Sequence, residues 1–231
     1  MPTPTLRAAH DVQRGVRSAC ALLPAIVPLG VALGVALGET TSSRLVAWLS
    51  APLLVAGSSQ LVLFGQLNHG TAVIAAALAA IMLNTRFVVY GAALAERFNG
   101  QPRWFRWLGP HYIVDQTFAM VVADIDDRSS NDQFRRYFAA SGTLLWIAWT
   151  CSVGIGLLAG PIVPPQVPLE MVLPASFVAL IVPGLAHRSE ILAVLVGACV
   201  GGGAVGSTST LAFAALIGAI IGATQHAERT S

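Results

Sequence analysis

The chain has 231 residues, of which 55% are hydrophobic and only 10% are charged. Soluble domains carry about 25% charged residues, so this composition excludes an ordinary soluble protein and indicates a membrane protein of several helices. The net charge of +2 gives no indication of a nucleic-acid partner, and all thirteen basic residues are arginine. A chain without lysine can form neither a Walker A nucleotide site nor a lysine Schiff base.

Cysteine and histidine show no pattern that is typical of metal binding or catalysis. The three cysteines are far apart in apolar runs, and the five histidines lie in tails or near the ends of such runs. The sequence contains no CxxC, HExxH or GxSxG motif. We therefore expect no cofactor, no metal site and no enzymatic activity, since a membrane-embedded enzyme would need a carboxylate such as Asp115 together with a histidine.

The chain begins with a polar stretch, residues 1–17, which we predict to be a cytoplasmic tail because it contains three arginines. The uncharged run 18–38 predicts a first, uncleaved spanning helix. Pro24 and Pro28 leave carbonyl groups of this helix without partners, which predicts helix breaks beside a cavity. Glycine recurs at every fourth position from residue 30 to residue 38, which predicts close packing against another helix.

The next two apolar runs, 45–67 and 70–95, are each interrupted by a polar cluster. The first cluster is Gly-Ser-Ser-Gln at 57–60, and the second is Asn-Thr-Arg at 84–86. An arginine at membrane depth costs roughly 2.5–3.5 kcal/mol on insertion scales. We therefore expect Arg86 to have a function or an ion-pair partner.

The rest of the chain alternates between charged stretches and apolar runs. Residues 96–110 combine arginine with tryptophan and predict a membrane-interface loop, whereas 112–123 is apolar but too short for a simple span. The highly charged residues 124–136 predict a solvated loop. Further predicted segments are a spanning run at 138–160, a proline-rich loop at 161–168, and candidate spans at 171–187, 190–206 and 208–223.

Together these runs predict an all-α, polytopic membrane protein with about six transmembrane helices plus re-entrant or broken segments. The length fits one compact bundle better than two domains. We therefore predict a single transmembrane transporter domain at 18–223, between the cytoplasmic tail 1–17 and a short C-terminal tail at 224–231.

The distribution of arginine creates a conflict in this topology. The arginine-bearing segments should share the cytoplasmic side, yet three apolar runs separate Arg17 from Arg97, and an even number of crossings is needed. One solution is that run 45–67 enters and leaves on one face, with a helix break at Gly57. The other is that run 70–95 is split at its polar cluster into two crossings. Either solution places irregular backbone at a polar cluster.

The polar clusters are candidate substrate-binding groups. Ser58, Ser59 and Gln60 offer hydroxyl and amide groups that suit a zwitterionic substrate, although small polar residues also serve to pack helices together. Asn84 and Arg86 lie near the middle of an apolar run, and a guanidinium can bind a carboxylate through two hydrogen bonds.

Other residues could pair with these groups or complete a binding pocket. Arg86 could form a structural ion pair with Asp115 or with Glu96 instead of binding substrate. Asp115 lies among apolar residues and is the best candidate in the chain for proton coupling. Trp146 and Trp149 are three residues apart on one helix face, where they could line an apolar substrate pocket or simply form an aromatic core.

The chain carries five short motifs in order, which are GSSQ at 57–60, N-x-R at 84–86, D-Q-x-F at 115–118, Y-F at 137–138 and W-x-x-W at 146–149. Taken in order, these motifs resemble those of the AzlC family of branched-chain amino-acid exporters. In that family D-E-x-F is usual where this chain has D-Q-x-F, which leaves Asp115 as the acid of the motif.

The resemblance implies a multi-pass permease of the bacterial inner membrane that exports leucine, isoleucine and valine, and sometimes methionine. It implies a partner, a small hydrophobic AzlD-type subunit, and we expect alternating access driven by protons or another ion. The alternative is a channel or a non-catalytic membrane scaffold of another complex. We expect Ser58, Ser59, Gln60 and Asn84 to bind the amino and carboxylate groups of the substrate. Arg86 would bind the carboxylate or pair with Asp115, and Asp115 would couple transport to protons. Trp146 and Trp149 would line the pocket for the side chain of the substrate.

Overall fold

The computed structural model describes residues 4–40, 42–126 and 129–162, and every regular element within these ranges is helical. This confirms the predicted all-α class. The candidate spans 171–187, 190–206 and 208–223 and the C-terminal tail lie outside the described residues. The helices are α1 (Pro4–Gly38), α2 (Arg44–Leu54), α3 (Gly57–Asn68), α4 (Val73–Leu83), α5 (Thr85–Ala93), α6 (Ala95–Asn99), α7 (Arg103–Leu108), α8 (Asp115–Asp124) and α9 (Asn131–Ala159), with 3₁₀ turns at Gly109–Tyr112 and Gly160–Ile162.

Three helical segments in the described part of the chain are long and apolar enough to cross a membrane. They are Ala8–Gly38, Val73–Ala93 and Asn131–Ile162. The first contains Pro24 and Pro28 within one helix, so the breaks predicted at these prolines do not interrupt it. Membrane helices tolerate proline where the surroundings satisfy the freed backbone groups, and here α1 is held along its length by α9.

Three stretches that were predicted as tail or loop contain helix instead. The polar start of the chain is already part of α1, which begins at Pro4. The predicted interface loop 96–110 holds α7 and most of α6. The predicted loop 124–136 is shorter, because α9 begins at Asn131, where the Ser130 side chain accepts a hydrogen bond from the Gln133 N–H. These stretches were predicted as tail or loop because they are rich in charged residues, but in the structure those charges lie at the ends of helices.

Helices α1 and α9 form a close, parallel pair. A Cβ on Gly15 would lie 2.5 Å from the carbonyl oxygen of Tyr137, and a Cβ on Gly30 would lie 2.7 Å from Ser152 Cβ. A Cβ on Gly34 would overlap the carbonyl oxygen of Val153. Residue numbers rise together along the two helices, so both run in one direction. Small residues allow this close approach, as the glycine spacing predicted.

The parallel pair defines two ends of the described bundle. We call the end where α1 and α9 begin the near side, and the end where they finish the far side. Two neighbouring helices that run in the same direction need a return crossing between them. The segment Val73–Ala93 is the candidate span that lies between them in the chain.

Helices α2 and α3 form a hairpin that enters from the far side. At 11 and 12 residues, each is too short to span alone. Helix α2 runs antiparallel to α9, because Trp48 Nε1 donates to the carbonyl of Thr150 at 3.2 Å, whereas the carbonyl of Pro52 accepts from Trp146 Nε1 at 3.0 Å. Its tip, at residues 55–56, therefore lies near the middle of α9.

The tip turns through one residue in an unusual conformation. Val55 adopts φ +45, in the left-handed region that β-branched residues rarely occupy, and Ala56 is extended. Helix α3 then starts at Gly57, so the predicted break is present, directly before that residue. This geometry supports the solution in which run 45–67 enters and leaves on one face.

Chemical labelling of single cysteines can test this topology. In a cysteine-free background, His69→Cys and Asn99→Cys should react from opposite sides of the membrane, because the single crossing Val73–Ala93 separates these exposed positions. As a control, His10→Cys at the start of α1 should react from the same side as Asn99→Cys. Labelling of His69→Cys and Asn99→Cys from the same side would instead require two crossings between them.

Candidate functional site

The polar cluster at the start of α3 is buried. Ser59 and Gln60 are both 0% exposed. The Ser59 hydroxyl donates a hydrogen bond to Asn84 Oδ1 at 2.6 Å, which joins α3 to the junction of α4 and α5. Gln60 Nε2 donates to Ser50 Oγ at 2.8 Å, which joins α3 to α2. The other amide atom, Gln60 Oε1, is buried and accepts no hydrogen bond within the described residues.

Both tryptophans of the W-x-x-W motif lie against the α2–α3 hairpin. The ring of Trp149 lies 3.0 Å from the position of a Cβ on Gly57, and the residue is only 7% exposed. Its Nε1–H is buried and donates no hydrogen bond in the described part of the chain. Trp146 differs, because its Nε1–H is already used by the carbonyl of Pro52. Trp149 therefore has an unused donor on a ring that contacts the start of α3.

The backbone at the start of α3 adds further donors. Ala56 at the N-cap position supplies no side-chain cap, and Ser58 is half-buried. The first N–H groups of any helix lack carbonyl partners within the helix, and the aligned peptide dipoles make that end partly positive. Next to the unpaired atoms of Gln60 and Trp149, the hairpin tip thus combines donors for a carboxylate with an acceptor for an ammonium group.

Arg86 pairs with Asp115, which was one of the two roles open to it from the sequence. Arg86 Nη2 lies 3.0 Å from Asp115 Oδ2, and the Tyr90 hydroxyl donates to Asp115 Oδ1 at 3.0 Å. The Tyr90 ring stacks on Phe118, with centroids 4.4 Å apart, which fixes the start of α8 against α5. Glu96, the other candidate partner, lies six residues beyond Tyr90, in α6.

A second irregular tip precedes α8. Residues 113–114 are extended, and Thr117 Oγ1 accepts from the Val114 N–H while donating to the carbonyl of Tyr112. The Tyr112 ring packs on Gly142 of α9, and His111 Nε2 lies 2.8 Å from the Pro52 carbonyl of the α2–α3 hairpin. The 3₁₀ turn before the second tip therefore contacts the last turn of α2, just before the first tip.

Helix α8 returns from this tip to the near side. Its last residue, Asp124, accepts hydrogen bonds from the hydroxyls of Ser18 and Tyr137, and its backbone carbonyl accepts from Arg14. Burial alone raises the pKa of the Asp124 carboxyl, but the Ser18 and Tyr137 hydrogen bonds and the Arg14 charge lower it below its ordinary value overall. Helices α3 and α8 thus start near the middle of the bundle and run in opposite directions, an arrangement typical of transporters with broken helices.

The structure brings the predicted residues into two groups. Ser59, Gln60, Asn84 and the tryptophans lie at the α2–α3 hairpin, and Arg86 and Asp115 form an ion pair at the start of α8. Sequence reasoning missed Ser50, Tyr90 and His111. Tyr90 could have been found, because it lies four residues after Arg86 on the same helix face. The other two contact the site only through tertiary folding.

Among residues 4–40, 42–126 and 129–162, no group of three or more His, Cys, Asp or Glu side chains could hold a metal ion. A search of curated proteins found no match, and neither did a search of solved structures. A sequence model of the AzlC family, described as AzlC protein, matches residues 21–163. This match spans both irregular tips, the Arg86–Asp115 pair, the second half of α1 and all of α9. The chain, more than half of which is matched, belongs to the AzlC family.

Proposed function

We propose that this protein is a secondary transporter that exports branched-chain amino acids across the bacterial inner membrane together with a small hydrophobic subunit. Membership of the AzlC family supports a role in membrane transport related to these amino acids. The observation that carries the proposal is the pair of unpaired buried atoms, Gln60 Oε1 and Trp149 Nε1, beside an uncapped helix start.

The unpaired atoms suit a zwitterion. A buried polar group without a partner costs about 1–3 kcal/mol, so a substrate that supplies both partners removes two such penalties. In our proposal the substrate carboxylate accepts from the first N–H groups of α3, the Ser58 hydroxyl and Trp149 Nε1. The substrate ammonium donates to Gln60 Oε1 and to Asn84 Oδ1.

The apolar side chain of the substrate would then lie against aromatic surface. Trp149 contacts the start of α3, and Trp146 is held in place by its hydrogen bond to Pro52. A wall of indole rings favours branched aliphatic groups over polar ones, because burying a polar side chain there would leave it without hydrogen bonds. The preference for apolar side chains would therefore follow from the absence of hydrogen-bonding groups on this aromatic wall.

The ion pair provides a means of coupling. When Asp115 binds a proton it loses its charge, so its attraction to Arg86 weakens and α8 can move relative to α5. Because the 3₁₀ turn before α8 contacts the last turn of α2, such a movement would be transmitted to the α2–α3 hairpin. Asp115 would thus act as the proton-coupling residue and Arg86 as its partner.

Efflux measurements test this function. Cells without their own branched-chain exporters would be loaded with leucine dipeptides, and leucine efflux would be followed with and without this chain and a candidate small subunit. We expect efflux only when both chains are present, and we expect a protonophore to stop it. Leakage that never proceeds against a gradient would indicate a channel, and no efflux of any amino acid from cells with both chains in the membrane would contradict transport.

A further inference from the structure

Helix α7 is anchored to the bundle by one face. Phe105 is 1% exposed and stacks on Phe98, with ring centroids 5.4 Å apart. It also meets Phe134 and Phe138 of α9 edge-on. This aromatic cluster fixes the helix in place, so the residues on its opposite face are presented in a defined arrangement.

The opposite face of α7 is exposed, basic and aromatic. Trp104 is 56% exposed and Trp107 is 84% exposed, and both Arg103 and Arg106 are exposed. Arg103, Arg106 and Trp107 line a cavity of about 290 Å³, close to the lower end of the range of about 300–1,000 Å³ for small-molecule sites. Because these residues are three and four positions apart, they share one helix face.

The two arginines of this cavity differ from Arg135 and Arg136 in having no carboxylate partner among the described residues. Arg135 pairs with Asp132, and Arg136 pairs with both Asp11 and Asp132. Within the described ranges, neither Arg103 nor Arg106 forms an ion pair with a carboxylate. The cavity therefore holds two positive charges for which the described chain supplies no counter-charge.

Helix α7 lies at the level where the candidate span Val73–Ala93 ends and the candidate span Asn131–Ile162 begins. It follows Val73–Ala93 after only the short helix α6. Gln101, two residues before α7, donates to the carbonyl of Asn131, the first residue of α9, and accepts from Arg135. Exposed tryptophan and arginine at the ends of spans are typical of the membrane–water interface.

We propose that the cavity formed by Arg103, Arg106 and Trp107 binds the phosphate of an anionic phospholipid headgroup. Planar guanidinium groups bind phosphate through paired hydrogen bonds, and two uncompensated charges favour a lipid with net negative charge over a zwitterionic one. The exposed Trp107 ring and Leu108, which is 65% exposed, would contact the upper part of the acyl chains. This proposal does not depend on the substrate of the transporter.

The test compares lipids on the full-length protein in detergent, with thermal unfolding and tryptophan fluorescence as readouts. Phosphatidylglycerol should stabilise the protein at concentrations at least about tenfold lower than phosphatidylcholine does. The double variant Arg103→Gln/Arg106→Gln should lose this preference. The matched variant Arg17→Gln/Arg44→Gln removes two exposed charges elsewhere and should keep it.

Three results would overturn the proposal. The first is equal stabilisation of the unaltered protein by both lipids. The second is an unchanged preference in Arg103→Gln/Arg106→Gln, or in Arg106→Gln alone if the double variant does not fold. The third is complete displacement of phosphatidylglycerol by millimolar inorganic phosphate, which would identify free phosphate and not lipid as the ligand.

Discussion

Replacing Arg86 with alanine should reduce leucine efflux to the level of cells without the protein, while the variant still reaches the membrane. The change removes the only ion pair that Asp115 forms within the described residues, so α8 is no longer tied to α5 through Arg86. The proposed coupling needs this contact to form and break, and without Arg86 it cannot form. Efflux, combined with membrane quantification by immunoblot, measures the effect.

A matched control separates this effect from simple loss of an ion pair. Arg135→Ala removes an arginine that is paired with Asp132 on α9, away from both hairpin tips, and should retain efflux. The exchange Arg86→Asp with Asp115→Arg restores the pair with reversed positions. Recovery of efflux in the exchange variant would assign Arg86 to pairing, and failure in a folded exchange variant would assign it to substrate contact. Normal efflux by Arg86→Ala would show that the arginine is dispensable.

Adding one methyl group at Gly34 should destabilise the protein more than the same change at an open glycine. A Cβ at position 34 would overlap the carbonyl oxygen of Val153 and lie 2.8 Å from the Cα of Gly156. Both obstacles are backbone atoms, so α1 and α9 would have to separate. Overpacking of this kind costs about 1–3 kcal/mol. We expect Gly34→Ala to lower the unfolding temperature and the yield of monodisperse protein.

Gly91→Ala is the control for this prediction. Nothing lies within 4 Å of a Cβ at position 91, in helix α5. Alanine favours a helix by about 1 kcal/mol over glycine, so this variant should be neutral or slightly stabilised. Equal unfolding temperatures for Gly34→Ala and Gly91→Ala would contradict the close α1–α9 pairing.

The topology follows from contacts that composition does not encode. Charge distribution required an even number of crossings before Arg97, but it could not say which run fails to cross. The antiparallel course of α2 along α9, fixed by the contacts of Trp48 and Trp146, supports a hairpin that returns to its own side. A run of apolar residues has the same hydropathy whether it crosses the membrane or turns within it.

Some features of this protein are determined by the sequence alone. Hydropathy along the chain is a local property, so it was sufficient to indicate an all-α membrane protein. The cost of a charge in hydrocarbon is equally local, so it was sufficient to show that Arg86 needs a partner or a function. The spacing of Gly30 and Gly34 was sufficient to predict a close helix contact, because only glycine leaves a helix face bare.

Other features were decided only by the tertiary structure, because they depend on residues that are distant in the chain. Asp115, and not Glu96, pairs with Arg86 because α8 returns to lie against α5. Pro24 and Pro28 do not break α1, because packing against α9 holds the helix through them. The unpaired Gln60 Oε1 lies on α3 and the unpaired Trp149 Nε1 lies on α9, and only folding brings the Trp149 ring against the start of α3.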